Sequence, residues 1–351
     1  EGDEAKLSPA EKKAEAKEKQ NEARRKLQDR FIVPPFSILN TQQGYWQDRK
    51  RAWLDLGIRS EEGRDDNLLS MSDAIRNPDH YRMKEGTKKS AQSENTRSGT
   101  SIFDPVLCEI IYRWFCPPEG LILDPFAGGS VRGLVASFLK NQYIGVDLRR
   151  DQIEANEKNA KAVLQKGEKN PLWIEGNSLQ LQEIFAKGKL KKKPDLIFSC
   201  PPYHDLEKYS DDPADLSNLS YEEFLLQYAI IIRQAIDLLA DDRFAVFVVG
   251  EIRDKKGIYK NFVSDTISSF EAAGAKYYND IILYNTIAGA ALRADKIFGS
   301  FRKIVKVHQN VLVFFKGDQR TIKENYPKFE IEDLITEDQA EKIESDGITE
   351  L

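Results

Sequence analysis

Apolar and polar positions alternate in several distinct textures along this chain. Residues 8–30, "SPAEKKAEAKEKQNEARRKLQDR", are charged almost throughout. Ser8 as N-cap with Pro9 just inside predicts a helix, and the lack of an apolar stripe predicts a solvated arm. Residues 31–64 mix Trp, Tyr and Arg and read as turns followed by a short helix. Aromatics among arginines suit either nucleic-acid contact or docking onto the rest of the chain. Residues 84–99 are small and polar and read as a mobile loop.

From Thr100 the pattern becomes that of an α/β domain. "SIFDPVLCEIIYRWF" has helical spacing after Asp104, a candidate cap. "LILD" (121–124), "YIGVD" (143–147), "LWIE" (172–175), "DLIFS" (195–199) and "FAVFVVG" (244–250) read as short buried strands. Helical stretches at 130–140, 151–165 and 221–240 separate them, which predicts a parallel, doubly wound sheet. "NDIILY" (279–284) and "QNVLVFFK" (309–316) supply the last two strands. These textures divide the chain into a charged helical arm (1–30), an N-terminal extension with its loop (31–99), the α/β domain (100–317) and an acidic tail (318–351).

Composition narrows the picture. The chain has 351 residues, 40% of them apolar, enough for one large domain with appendages. No run approaches the roughly 20 apolar residues of a membrane span, and no signal-peptide pattern is visible. Three cysteines, Cys108, Cys116 and Cys200, fit a reducing compartment better than a disulfide scaffold. With three histidines and no paired Cys/His spacing, no metal is expected. The net charge of −5 does not advertise a nucleic-acid binder, but the charge is uneven. Residues 285–317 carry Arg293, Lys296, Arg302, Lys303, Lys306 and Lys316 against Asp295 alone, whereas residues 330–351 are strongly acidic. A basic loop at 286–308 is what phosphate contact requires. Arg49, Lys50 and Arg51 beside Tyr45, Trp46 and Trp53 form a second, weaker candidate.

Two stretches carry candidate chemistry. In "LILDPFAGGSVRG" a strand ends at Asp124, turns through Pro125 and Phe126, and enters a helix across Gly128 and Gly129. Such glycines let backbone approach a ligand, and the helix start favours negative charge. The next strand ends in Asp147, where a carboxylate can accept hydrogen bonds from two ribose hydroxyls. In "DLIFSCPPYHDLEKYS" the fourth strand runs into Cys200, Pro201, Pro202 and Tyr203. Two prolines fix φ and offer no N–H, so the Pro201 carbonyl is held in one direction. The long polar stretch after Tyr203 reads as a lid or binding loop, with His204 a solvent-facing loop residue. Glu251 and Arg253 end the fifth strand and either line a pocket or pair with each other.

"DPFAGGS", "GVDL" and "SCPPY", in that order, resemble the S-adenosylmethionine-dependent DNA amino-methyltransferases, which methylate adenine N6 or cytosine N4. The order is the gamma-like one. "PPFSILNTQQGYWQDRKRAWL" and "TSIFDPVLCEIIYRWFCPP" resemble leading segments of phage-encoded DNA methylases, so the likeness spans roughly 31–317. The resemblance implies a Rossmann-like seven-stranded methyltransferase sheet with a helical or irregular N-terminal extension, S-adenosylmethionine as cofactor, and a flipped base in duplex DNA as substrate. It implies a cytoplasmic enzyme of a bacterial or phage-infected cell. Residue by residue, it assigns Asp124, Phe126, Ala127, Gly128 and Gly129, capped by Thr100, Ser101 and Phe103, to the methionine part of the cofactor. Asp147 and Leu148 fall to the ribose, and Asn177 and Ser178 to the adenine. Cys200, Pro201, Pro202 and Tyr203 become the catalytic corner, the Tyr203 ring offering a face to the extruded base. Arg293, Lys296, Arg302, Lys303 and Lys306 become DNA contacts.

One position departs from the family pattern. Cys200 stands where family members place Asp, Asn or Ser, and a thiol is a weak acceptor. Three readings follow. The Pro201 carbonyl carries most of the load with help from Ser199 or Cys200; or Cys200 is a covalent nucleophile; or the site is silent and the chain only binds DNA or a partner. RNA N-methylation on the same kind of sheet is a further alternative.

Overall fold

The computed structural model describes residues 8–29, 31–59, 103–204, 215–254, 256–285 and 290–327. The proposed loop at 84–99, Thr100 and Ser101, most of the stretch after Tyr203, and the acidic residues from 328 onward lie outside them.

Eight strands form one sheet: β1 (Ile38–Asn40), β2 (Leu121–Asp124), β3 (Gln142–Asp147), β4 (Leu172–Glu175), β5 (Leu196–Ser199), β6 (Arg243–Val249), β7 (Lys276–Tyr284) and β8 (His308–Lys316). Their order across the sheet is β1-β7-β8-β6-β5-β2-β3-β4. β4, β3, β2, β5 and β6 are mutually parallel; β8 runs antiparallel to both β6 and β7. The helices are α1 (Pro9–Gln28), α2 (Gly44–Asp55), α3 (Pro105–Phe115), α4 (Val131–Phe138), α5 (Arg150–Val163), α6 (Leu181–Lys187), α7 (Tyr221–Leu238), α8 (Phe262–Ala272), α9 (Ala290–Phe301) and α10 (Ile322–Asn325).

The central strands read as unbroken apolar runs because both faces are covered. Alternate residues of β6 point to opposite sides. Phe244, Val246 and Val248 join the core beneath α2, α3 and α4, while Ala245, Phe247 and Val249 join the one beneath α7 and α8. Helix starts follow local chemistry. The Asp104 carboxylate accepts from the Val106 N–H with Pro105 at the first helical position, and Ser220 and Glu223 form a reciprocal capping box ahead of α7. No helix among the described residues is long and apolar enough to cross a membrane.

Three expectations are corrected. The sheet has eight strands rather than seven, because Ile38–Asn40, read as turn, adds parallel to β7 with Ile38 opposite Ile282. The basic loop contains a helix, α9. The N-terminal arm is not solvated along its whole length. Gln20, Ala23, Arg24 and Leu27 share one helical face, and Ala23 and Leu27 are buried in it. Gln20 donates to the Leu56 carbonyl and Arg24 pairs with Glu168 at 2.7 Å. A stripe of two apolar residues is enough when its polar flanks find partners.

The aromatic and basic residues of α2 are used for docking. Glu109 on α3 has a fully buried carboxylate. Arg49 holds it bidentately at 2.9 and 2.7 Å, Arg113 adds 2.9 Å, and the Trp53 indole donates at 2.8 Å. Arg49 also donates to the Lys26 and Leu27 carbonyls at the end of α1, tying three helices together. Trp46 donates to Asp104 at 3.2 Å and Lys50 pairs with the same oxygen at 3.0 Å. Arg51 pairs with Asp48 on the surface. Of the second nucleic-acid candidate, Arg49, Trp46 and Trp53 are therefore withdrawn into the interior.

Truncating one partner of a buried ion pair strands the other. Arg49→Ala is expected to cost about 3–5 kcal/mol of unfolding free energy in urea titrations. Arg51→Ala, whose pair is exposed, is expected to cost under about 1 kcal/mol.

Candidate active site at the C-terminal edge of the sheet

The chain steps from β2 to β3 and β4 on one side, then returns to β5 on the other side of β2. β2 and β5 thus flank the point where strand order reverses. Open α/β sheets place ligand crevices at the carboxyl ends of strands at such a point. Asp124 ends β2, Asp147 ends β3, and Ser199 ends β5 directly before Cys200. The three motifs picked out in the sequence therefore meet on one rim.

Asp124 is fully buried and every acceptor direction is filled from inside the protein. One carboxylate oxygen accepts from the Ser199 hydroxyl at 2.5 Å and the Phe126 N–H at 3.1 Å. The other accepts from Arg132 Nε at 2.5 Å and the Tyr143 hydroxyl at 2.7 Å. Burial acts to lower the Arg132 pKa, but the Asp124 charge, helped by Tyr143 and Cys200, reverses the shift and keeps the guanidinium charged. Arg132 then folds the turn over itself. Its Nη2 donates to the Phe126 carbonyl at 2.7 Å and the Ala127 carbonyl at 2.8 Å, and its guanidinium lies 4.6 Å from the Phe103 ring centroid. Asp124 is thus the internal anchor of the glycine turn, not a group facing outward.

Beyond the anchor the turn is open. Gly128 has φ +50, and a Cβ added there would find Arg132 Nη2 as its nearest neighbour, at 3.9 Å. Side chains hold the turn's shape: the Gly128 N–H donates to the Asp147 carboxylate at 2.8 Å, and the Asn156 amide donates to the Gly128 carbonyl at 2.7 Å. Gly129 is half-buried and Ala127 buried. Phe126 packs near Tyr228 and Phe247 on the α7 face.

Asp147 is half-buried. Its two oxygens each accept one backbone N–H, from Gly128 and from Arg149 at 3.0 Å. Burial raises its carboxyl above the ordinary value; those N–H bonds and the Arg149 charge hold part of the rise back. Leu148 beside it is half-buried. Asn177 caps a short 3-10 turn by accepting from the Leu179 N–H at 2.9 Å, which engages part of its carbonyl. Ser178 donates to the Pro125 carbonyl at 2.5 Å, bracing the glycine turn from the β4 side.

At the Pro-Pro-Tyr corner Pro201 is buried, Pro202 half-buried, and Cys200 half-buried with its sulfur 3.7 Å from the Tyr203 hydroxyl. Three expectations change here. Ser199 does not reach toward a substrate, since its hydroxyl is spent on Asp124. The Tyr203 ring is not an open face. It is 8% exposed and meets Phe262 edge-on, while its hydroxyl accepts from Gln309 Nε2 at 2.7 Å. His204 is buried, not solvent-facing. It sits at φ 49, its Nε2 lies 3.0 Å from the Leu219 carbonyl, and its Nδ1 lies 3.0 Å from Lys260 Nζ. An ammonium only donates, so Nδ1 accepts and Nε2–H donates. Glu251 and Arg253 do not pair. Glu251 accepts weakly from the Val263 N–H, with its other oxygen buried and without a hydrogen-bond partner, while Arg253 stacks on Tyr259 at 3.7 Å.

Arg132, Tyr143 and Gln309 were not singled out by sequence reasoning. Arg132 had a legible signal, a lone charge in the apolar helix "VRGLVASF"; Tyr143 and Gln309 act across the sheet and leave no local trace.

The basic segment leaves the sheet at the same edge, since β7 ends and β8 begins there. Arg293 and Lys296 lie on α9, their side chains outside the described residues. Arg302 and Lys303 follow it, and Lys306 donates to Asn310 at 3.1 Å. Burial pushes the Lys306 pKa down against the pull of Glu251 and Asp280.

Comparison with known proteins is sparse in sequence. No family model matches, and no curated protein matches. Among solved structures, TrmN from Thermus thermophilus aligns at 16% identity, over 61% of this chain and 49% of that one, with a TM-score of 0.40. A candidate DNA modification methylase from the same organism aligns at 19% identity, over 48% and 56%, with a TM-score of 0.30. A TehB-like S-adenosylmethionine-dependent methyltransferase from Corynebacterium glutamicum aligns at 16% identity, over 62% and 90%, with a TM-score of 0.37. This chain thus spans about half the length of the first two.

Removing the anchor should damage the fold before anything else. Asp124→Ala leaves Arg132 charged and buried, with an expected loss of about 3–5 kcal/mol in chemical denaturation. Tyr143→Phe, which deletes one hydrogen bond to a charged group, is expected to cost about 1.5–3 kcal/mol.

Proposed function

We propose that this chain is an S-adenosylmethionine-dependent methyltransferase acting on the exocyclic amine of a DNA base, adenine N6 or cytosine N4. The observation that carries the reading is the adjacency of β3, β2 and β5. It sets Asp147, the open turn at Gly128 and the Cys200–Tyr203 corner side by side on one rim.

The residues present fit the cofactor. The Gly128 turn leaves room for a ligand to approach the backbone closely. Asp147 uses one acceptor direction per oxygen on the turn and keeps others for two ribose hydroxyls. Phe103, Phe126, Ala127, Gly129, Leu148, Asn177 and Ser178 complete the assigned surround, and Thr100 and Ser101 belong to it by sequence alone. When bound, the cofactor supplies a methyl group made electrophilic by its sulfonium.

The chain's own part is alignment. An exocyclic amine is a weak nucleophile because its lone pair is delocalised into the ring. An acceptor for one amine hydrogen returns electron density to the nitrogen. The Pro201 carbonyl, stiffened by Pro201 and Pro202, is that acceptor in this reading, and it fixes the nitrogen's direction of approach. Cys200 adds only a weak acceptor and no covalent bond. Tyr203, held by Gln309 and Phe262, is a fixed wall of the base pocket instead of a free platform. Arg293, Lys296, Arg302, Lys303 and Lys306 supply phosphate contact.

Incubation with labelled S-adenosylmethionine and duplex DNA, followed by digestion and mass spectrometry, should yield N6-methyladenosine or N4-methylcytosine as deoxynucleosides. Label in RNA alone would overturn the choice of substrate, and no cofactor binding would overturn the whole reading. Cys200→Ser should keep turnover within about tenfold, since an hydroxyl replaces a thiol as weak acceptor; activity at background would instead mark a covalent nucleophile.

Cofactor affinity should fall on acidification at a higher pH than an ordinary carboxylate dictates, because a protonated Asp147 loses acceptor capacity and burial has raised its pKa. Asp147→Asn should weaken affinity about tenfold or more and flatten this pH dependence, as read by calorimetry. In the free protein the raised pKa means that the native state holds the proton more tightly than the unfolded chain. That contribution favours folding at low pH and is lost as pH rises through the folded value.

A further inference from the structure

Two segments that rise from the same rim carry large apolar side chains into solvent. Phe301, the last residue of α9, is 68% exposed, and Ile304, between α9 and β8, is 74% exposed. Ile258 is 63% exposed on the turn that follows β6, beside exposed Tyr259. The two segments touch, since Lys303 Nζ donates to the Lys256 carbonyl at 3.2 Å. Gly257 is where they meet, for a Cβ there would fall 1.8 Å from Lys303 Nζ.

Cations flank the apolar groups closely. Arg302 lies 5.2 Å over the Phe298 ring, Lys303 5.5 Å over the Phe301 ring, and Arg253 3.7 Å over Tyr259. The nearby acid Asp254 accepts from the Lys256 and Ile258 N–H groups of its own turn. The ridge is therefore apolar at its crest and positive along its sides. A second copy of the same ridge would repel it, whereas a polyanion with an apolar interior complements it.

We infer that this ridge is a wedge for duplex DNA, with Phe301 and Ile304 entering the base stack and Arg302 and Lys303 gripping the flanking phosphates. The inference rests on the proposed DNA methylation. Withdrawing one base from a duplex gives up its pairing and stacking and opens a gap in the stack. Apolar side chains pushed between base steps are a known physical means of opening and holding such gaps. The distance suits the task. Ile304 lies five positions before Gln309, which holds Tyr203, so at most about 18 Å of backbone separates it from that residue of the corner.

The test uses the full chain, a duplex containing a mapped methylation site, and the same duplex with the target base opposite an abasic position, which is already unpaired. A fluorescent base analogue at the target reports extrusion independently of turnover. Phe301→Ala with Ile304→Ala should lower kcat/KM on the paired duplex at least 10-fold and abolish the fluorescence rise. On the abasic duplex the loss should stay within 3-fold, with S-adenosylmethionine affinity unchanged. Equal losses on both duplexes, or no loss on either, would overturn the wedge while leaving methylation intact. So would a wild-type dimer that the double substitution turns into monomer, because the ridge would then be covered by a second copy. A wild-type chain that binds S-adenosylmethionine but methylates no DNA would sink the functional reading itself.

Discussion

Four donors converging on the Asp124 carboxylate hold the working edge of this protein together. Ser199 brings the end of β5, Tyr143 brings β3, Arg132 brings α4, and the Phe126 N–H brings the turn itself. A buried charge is tolerable only when it is paired and its remaining acceptors are filled. Here the filling groups come from each element that the rim needs in register. Electrostatic necessity thus becomes positional accuracy: the glycine turn, the end of β3 and the proline corner cannot drift apart without stranding a charge.

Glu109 on α3 repeats the arrangement between helices. Its carboxylate gathers Arg49, Arg113 and Trp53, and through Arg49 the carbonyl end of α1. Residues with the composition of a nucleic-acid contact surface are instead spent on joining helices. The distinction lies in burial. A Trp or Arg that finds a carboxylate inside the protein is no longer available to a partner outside it.

Much of the fold was legible because the central strands are covered on both faces and read as short apolar runs between helices. "LILD" and "LWIE" match β2 and β4 to the residue. The convergence of Asp124, Asp147 and Cys200 also followed from strand ends alone. What escaped notice was non-local. β1 is three residues long, and nothing in "ILN" announces pairing with a strand more than two hundred positions later. α1 docks through a face of four residues that composition averages away. Sequence shows neither Phe262 nor Gln309 beside Tyr203, and so predicts an open ring. Polar neighbours in sequence predict an exposed His204, whereas its ring lies edge-on to Tyr221 and Phe224.

The short strand β1 has a consequence for how the polypeptide can be divided. β7 is nine residues long, and without β1 it would be the outermost strand on its side of the sheet. Its unpaired amides and carbonyls around Ile282 would then offer a template for another chain to extend, the usual route by which sheet borders seed aggregation. The change of texture near Thr100 is therefore a boundary of composition and not a place to cut. A fragment that began there would forfeit this protective border together with the Trp46 and Trp53 packing, and would be poorly soluble.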